Sequence, residues 1–324
     1  MYEKTKIVAL SASVDLAHDI AKRLGIEVMP SNVVHFADGE IMFEGKESFR
    51  GDNVYIVQST CAPVTERLME VLVCIDACKR ASAKTINCIM PYFGYARQDR
   101  KAKPRQPITA RLVADLLTTA GANRIICTDL HASQIQGFFN IPVDEVVSTP
   151  IYYRYFHKMN LQNPVCVSPD HGGVVRTSRL AEKMGAPIAI IDKRRPRPNE
   201  AEIIGIVGEV KDKDCIIVDD IVDTAGTLCL AANKLKELGA RKVYAAITHA
   251  ILSNNAVQKI CDSGIDQLVT TDTIPLPQEK QCNKIKVLSL AFMYGDIIAA
   301  IEAGESLGNV FQNFFDDNYG DATH

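Results

Sequence analysis

One stretch gathers the residue types that handle phosphorylated sugars: Cys215-Ile-Ile-Val-Asp-Asp-Ile-Val-Asp-Thr-Ala-Gly-Thr. It reads as a buried strand over 214 to 218, an acidic pair, and a short loop of small and hydroxylated residues that opens a helix. Asp223, Thr224, Ala225, Gly226 and Thr227 can present backbone N–H groups and hydroxyls to a phosphate, with the helix N-terminus adding partial positive charge. Asp219 and Asp220 can accept hydrogen bonds from vicinal sugar hydroxyls across the crevice at a strand's carboxyl end. Together they suit a sugar phosphate. A plainer reading, an N-capped helix after a solvent-facing turn, covers Asp223 and Thr224. It leaves the two preceding acids unexplained, and adjacent acids at a strand end are costly unless they bind something.

Two cation clusters could meet further phosphates. Lys193-Arg-Arg-Pro-Arg-Pro-Asn follows the strand Ile188-Ala-Ile-Ile and carries four cations in five positions. It reads as a basic flap able to close over phosphates, or more plainly as a solvated loop. Tyr95-Ala-Arg-Gln-Asp-Arg-Lys-Ala-Lys-Pro-Arg is the second cluster, and guanidinium forks suit polyphosphate. Phe36-Ala-Asp-Gly-Glu offers an aromatic face and two acceptors, fit to stack on a base and bond its amine, although by itself it reads as a turn. His131 and Asp170 each stand just past a strand; such residues are usually structural, with metal ligation the alternative. Neither a G-x-x-x-x-G-K-[ST] loop nor a G-x-G-x-x-G fingerprint occurs, so any nucleotide is held in another way.

The elements that must position these residues follow from the apolar pattern. Short β-branched runs alternate with amphipathic stretches, which predicts an α/β protein with mostly parallel sheets. Expected strands cover 6 to 10, 53 to 58, 85 to 90, 124 to 128, 143 to 147, 165 to 168, 187 to 191, 214 to 218, 243 to 248 and 267 to 270. Expected helices cover 14 to 24, 63 to 79, 109 to 120, 172 to 184, 226 to 238 and 254 to 262. The halves repeat at an offset of about 160: Ile7-Val-Ala-Leu-Ser and a helix closing at Gly25 match Val165-Cys-Val-Ser and a helix closing at Gly185. Asn53-Val-Tyr-Ile-Val likewise matches Cys215-Ile-Ile-Val. The expected domains are 1–148 and 149–324, and the copies differ where Val57-Gln-Ser faces Val218-Asp-Asp.

Length and composition agree. The 324 residues suffice for two domains with their own cores, and 47% hydrophobic with 23% charged residues is an ordinary globular balance. A net charge of −3 argues against a generic nucleic-acid or membrane-surface binder. The ten cysteines contain no C-x-x-C pair and many lie in apolar runs, so they are expected to be reduced core residues of a cytoplasmic protein. No apolar run approaches the length of a membrane span, and the polar N-terminus lacks a signal-like apolar region.

These motifs, in this order over nearly the full length, resemble the ribose-phosphate diphosphokinase family. The resemblance also includes Gln58-Ser-Thr-Cys-Ala-Pro, Pro91-Tyr-Phe-Gly-Tyr-Ala-Arg-Gln-Asp-Arg, Thr128-Asp-Leu-His-Ala-Ser-Gln-Ile-Gln-Gly-Phe-Phe, Val167-Ser-Pro-Asp and Ile191-Asp-Lys-Arg-Arg. It implies two duplicated domains of the type I phosphoribosyltransferase fold, and transfer of a diphosphoryl group from ATP to ribose 5-phosphate with Mg2+ in a cytoplasmic homohexamer. It also implies roles. Lys193 and Arg195 would stabilise the transferring group, with Arg195 also touching the sugar phosphate. Phe36, Asp38, Glu40, Arg97 and Gln98 would contact ATP, and Asp219, Asp220, Asp223, Thr224, Ala225, Gly226 and Thr227 would hold ribose 5-phosphate. His131 and Asp170 would hold the metal, although histidine is an uncommon Mg2+ ligand. A silent regulatory partner of such an enzyme is one alternative, which the intact catalytic set disfavours; a nucleobase phosphoribosyltransferase is another, which leaves the first half unused.

Some positions set limits on the resemblance. His171, beside Asp170, could perturb the metal position or fill space. Ala225 stands where Gly or Cys is common in the family, a tolerable change unless φ > 0 is required. Ser48, Arg50, Ser82, Arg105 and Ser306 match an allosteric phosphate and ADP site, but Pro104 and Gly308 stand where many relatives have serine, so that control is expected to be weakened or altered.

Overall fold

The computed structural model describes residues 2–197 and 200–315, with the side chains of 194–203 outside the description. The chain divides into two compact units. The first comprises Met1–Val147, Thr273–Pro275 and the segment from Ser289 onward; the second comprises Ser148–Asp272 and Leu276–Leu288.

The first unit is built on a parallel sheet ordered β1-β4-β5-β6-β7, from β1 (Thr5–Ala9), β4 (Asn53–Val57), β5 (Thr85–Met90), β6 (Arg124–Thr128) and β7 (Val143–Val146). Its helices include α1 (Val14–Leu24), α2 (Val64–Arg80) and α3 (Thr109–Ala120), and β2 (Ser31–His35) with β3 (Ile41–Gly45) makes a separate hairpin. The second unit opens with α4 (Thr149–Lys158) and carries the order β10-β9-β8-β11-β12-β13-β14. These strands are β8 (Val165–Ser168), β9 (Ile188–Arg197), β10 (Glu200–Val207), β11 (Asp214–Val222), β12 (Lys242–Ala250), β13 (Gln267–Thr271) and β14 (Ile285–Leu288). Helices α5 (Val174–Met184), α6 (Gly226–Glu237) and α7 (Ala256–Asp262) belong with them, and α8 (Ala291–Ala303) and α9 (Leu307–Asn313) close the described chain. Strand residues such as Val54, Ile56, Cys215, Ile217, Val243 and Ala245 are buried, as expected for parallel strands covered on both faces.

Both sheets share the order implied by duplication: β1-β4-β5-β6-β7 in one, β8-β11-β12-β13-β14 in the other. The repeat extends to single hydrogen bonds. Gly25 and Gly185 close α1 and α5 in the left-handed region, and Ile26 N–H donates to the Ala21 carbonyl as Ala186 N–H does to Ala181. This is a glycine-terminated cap in which positive φ lets the last carbonyls be satisfied. Ile7 bridges Val28 in parallel, as Cys166 pairs Ile188.

Several elements differ from expectation. The β2–β3 hairpin, β14 and helices α4, α8 and α9 were not foreseen, since each is short or lacks a clear period. Strand β9 runs through Arg197 and pairs antiparallel with β10, so the basic stretch, read as a flap or a solvated loop, is one arm of an antiparallel strand pair. Strand β11 continues to Val222 because Ile221 and Val222 pair with His249 and Ala250 of β12, which puts Asp219 and Asp220 inside the strand. The segment from Ser289 onward lies with the first unit, unlike the division at 148/149. Its α8 packs on α1, Arg23 Nε and Nη2 grip Asp296 at 2.9 and 3.1 Å, and Glu302 accepts from Thr5 Oγ1, Asn53 Nδ2 and Tyr55 Oη at 2.9, 3.0 and 2.7 Å.

Candidate active site

Three neighbouring parallel strands of the second unit, β9, β8 and β11, bring the chemistry-bearing residues to one carboxyl edge. Ligands of open α/β sheets bind outside that edge, where loops and helix N-termini converge.

Asp170 follows β8. Its Oδ1 accepts from Gly173 N–H at 3.0 Å and its Oδ2 lies 2.6 Å from Lys193 Nζ on β9. Burial pushes the Asp170 carboxyl up, but the Lys193 ammonium and the Gly173 and Gly172 N–H groups outweigh it and hold it below its ordinary value. Two residues given separate roles by the sequence are thus one ion pair. Arg195 lies on β9, with its side chain outside the description.

On β11, Asp219 Oδ1 accepts from Asp220 N–H at 2.9 Å. Arg176 Nη1, from α5, lies 3.4 Å from Asp219 Oδ1 and 3.2 Å from Asp220 Oδ1. Burial and the neighbouring Asp220 carboxylate push Asp219 up to about 8, against the opposing pull of Arg176. Its side chain keeps 33% of its surface exposed, so this acid still meets solvent. Arg176 was not singled out from the sequence. Its signal is a lone guanidinium in the first turn of the helix that follows the Asp170 loop.

Beyond Val222 the loop Asp223–Ala225 delivers the start of α6. Ala225 is its N-cap, at φ 59° and ψ 1°, and its carbonyl accepts from Cys229 N–H at 2.9 Å. Positive φ is therefore required there, and an alanine bears the Cβ strain that glycine would avoid. Ser253 N–H bonds the Asp223 carbonyl at 2.9 Å and Lys259 Nζ the Thr224 carbonyl at 3.2 Å, which fixes the loop from outside. Gly226 and Thr227 form the first turn, whose N–H groups have no acceptor within a helix. His171 is 74% exposed and stands 3.6 Å from Asp192 Oδ1, so it does not fill space.

The remaining candidates belong to the first unit. Phe36, Asp38 and Glu40 form the β2–β3 turn, all exposed: Phe36 N–H donates to the Glu40 carbonyl at 2.9 Å, and Asp38 Oδ1 accepts from Glu40 N–H at 3.1 Å. His35 Nε2, 3.2 Å from Glu66 Oε1 on α2, ties this hairpin down. Arg97 and Gln98 are exposed in the stretch between β5 and α3, where Gln98 Oε1 accepts from Thr109 Oγ1 at 2.5 Å. His131 is exposed just past β6. Ser48 Oγ accepts from Arg50 N–H at 3.2 Å and Arg50 Nη1 donates to Ser82 Oγ at 3.3 Å, so three allosteric candidates meet. Arg105 is exposed before α3 and Ser306 is the N-cap of α9; neither bonds to that trio among the described residues.

Comparison with known proteins identifies the family. Residues 5–121 match the family model for the N-terminal domain of ribose phosphate pyrophosphokinase, and 182–312 match that of the phosphoribosyl synthetase-associated domain. The chain is 54% identical over 310 residues to ribose-phosphate pyrophosphokinase 1 of Listeria innocua, covering 95% of this chain and 98% of that one. It is 52% identical over 306 residues to ribose-phosphate pyrophosphokinase of Bacillus subtilis, covering 94% and 96%. The crystal structure of phosphoribosylpyrophosphate synthetase from Mycobacterium smegmatis superposes with a TM-score of 0.87 at 40% identity, over 93% of this chain and 100% of that one. Both sheets are thus phosphoribosyltransferase-like, and the chain belongs to the ribose-phosphate pyrophosphokinase family.

Proposed function

We propose that this enzyme transfers the β,γ-diphosphoryl group of ATP to O1 of D-ribose 5-phosphate, giving 5-phospho-α-D-ribose 1-diphosphate and AMP for nucleotide biosynthesis. The observation that carries this is the edge where Lys193, Asp170, the Asp219–Asp220 pair and the 223–227 loop leave three adjacent strands. A phosphate at the α6 N-terminus and sugar hydroxyls at the acid pair would present O1 beside a lysine.

In this reading the first-turn N–H groups of α6 and the hydroxyls of Thr224 and Thr227 bind the 5-phosphate. Asp219 and Asp220 accept from the sugar hydroxyls, and Arg176 keeps both carboxylates turned to one side. O1 attacks the β-phosphorus and AMP departs, so negative charge moves over phosphate oxygens. Lys193 and Arg195 supply fixed positive charge where it is greatest. Phe36, Asp38, Glu40, Arg97 and Gln98, all exposed, are proposed to hold ATP. Mg2+, when bound, neutralises phosphate charge. Asp170 fits it as an ionised oxygen donor, and His131, with its nitrogen donor, is the weaker match. Ser48, Arg50, Ser82, Arg105 and Ser306 are proposed as a regulatory anion site, and self-association into a cytoplasmic homohexamer completes the reading. Among the described residues no helix is long and apolar enough to cross a membrane.

Incubation of the purified protein with ATP, Mg2+ and ribose 5-phosphate should release AMP in a ribose 5-phosphate-dependent manner. No AMP above background would overturn the proposal.

A further inference from the structure

Eight of the ten cysteines are buried, among them Cys74, Cys88, Cys127 and Cys166, whose thiols burial pushes up and keeps inert. Cys261 and Cys282 differ: both are only half-buried, and their Sγ atoms lie 3.1 Å apart, about 1 Å beyond a disulfide bond. Cys261 is in the last turn of α7 and Cys282 just before β14, both in the second unit. Lys284 already fastens these segments together, since its Nζ donates to the Cys261 and Ser263 carbonyls at 2.8 and 3.0 Å. The two sulfurs are therefore held in register by bonds that do not depend on them.

We propose that Cys261 and Cys282 are a modification site: they form a reversible intrachain disulfide with a small-molecule disulfide as oxidant. One thiolate attacks a glutathione disulfide sulfur and expels one glutathione thiolate; the second attacks the resulting mixed disulfide and expels the other. The net change is two protein thiols oxidised to one disulfide and one glutathione disulfide reduced to two glutathiones. The sharing of a proton with Cys282, and then burial, raise the Cys261 thiol above its ordinary value, while the Lys284 ammonium pulls the other way, so the exchange speeds up as pH rises.

The position gives the bond a consequence. Lys259, two residues before Cys261 on α7, holds the Thr224 carbonyl of the candidate phosphate loop. The disulfide pins the end of α7 to the chain before β14, and so stiffens the helix that carries Lys259. The covalent step does not depend on the proposed catalytic activity.

The test is to incubate the intact protein with oxidised glutathione, block remaining thiols, and map peptides by mass, with Cys261→Ser and Cys282→Ser as controls. Wild type should lose two of its ten thiols and yield a 261–282 cross-linked peptide that dithiothreitol reverses, and neither variant should. Hydrogen exchange over 256–262 should slow in oxidised wild type alone. Retention of ten free thiols, or glutathione mixed disulfides at these cysteines without cross-linking, would overturn the site. Cross-linking with unchanged exchange in α7 would overturn the stiffening. Loss of AMP formation in the unoxidised protein would count against the proposed function and leave this inference standing.

Discussion

At the carboxyl end of their second core strand the two units use the same backbone differently. In the first, Gln58 is fully buried: its Oε1 accepts from Ala12 N–H at 2.9 Å and its Nε2 donates to Glu70 Oε2 at 2.6 Å. Ser59 N–H donates to Ser13 Oγ at 2.9 Å, its hydroxyl meets the Thr273 carbonyl, and Thr60 Oγ1 accepts from Gly94 N–H at 2.7 Å. The following helix starts from Pro63 at φ −73°. In the second unit the matching positions are Asp219 and Asp220, which share one guanidinium, and the helix starts from a left-handed alanine. Polar groups are paired within the protein in one case. In the other, two crowded carboxyls share that guanidinium, Asp219 is pushed up to about 8 and a third of its side chain stays exposed, an arrangement expected at a ligand site. The scaffold thus tolerates an unrelaxed strand end in one copy while the other is closed.

The largest test of that contrast is catalytic. Lys193→Ala should lower kcat by about 100-fold or more with KM changed only a few-fold, as for a cation acting mainly in the transition state. Steady-state AMP formation measures this, and a large KM rise with kcat intact would contradict the role.

Exchanging the two strand ends comes next. Gln58→Asp places a carboxylate against buried Glu70 and should cost about 3 kcal/mol or more in urea unfolding. Asp219→Asn is expected to keep the fold but raise KM for ribose 5-phosphate by about 10-fold, because an amide replaces the carboxyl at the sugar hydroxyls. If both variants harmed stability equally, the division between a closed and an open strand end would be wrong.

Proton linkage separates the acids further. The folded chain raises Asp219 to about 8 from an ordinary value of about 3.9, so it binds the proton more tightly than the unfolded chain. The stability linked to that proton is complete below about pH 4 and is lost as pH rises through about 8. Asp170, held low, acts oppositely: its contribution is present above its unfolded value and lost as pH falls through the folded one. Asp219→Asn should flatten the decline of the urea midpoint between about pH 5 and about pH 8. A decline identical to wild type would remove Asp219 as its source.

The smallest effect is at the helix start. Ala225→Gly relieves a left-handed alanine and should stabilise by about 1 kcal/mol in the same unfolding experiment. Destabilisation would mean that the Ala225 methyl, buried among apolar neighbours, contributes more than its backbone strain costs.

The sequence by itself determined the alternating elements, the duplication and the position of the candidate phosphate loop. These depend on local periodicity, on Gly25 and Gly185 at matching helix ends, and on residues adjacent in the chain, all visible without coordinates. It was silent on the β2–β3 hairpin, whose strands bury little, and on α8, whose apolar residues run all round the helix and leave no period to read. It separated Lys193 from Asp170, Arg176 from Asp219 and Cys261 from Cys282, because each pair joins different elements whose register is set by the sheet. Tertiary structure alone decided those pairings, together with the placement of α8 on α1. Long-range ion pairs, buried acids and cross-element contacts follow from strand order and helix packing, which a one-dimensional pattern constrains only through what each element must bury.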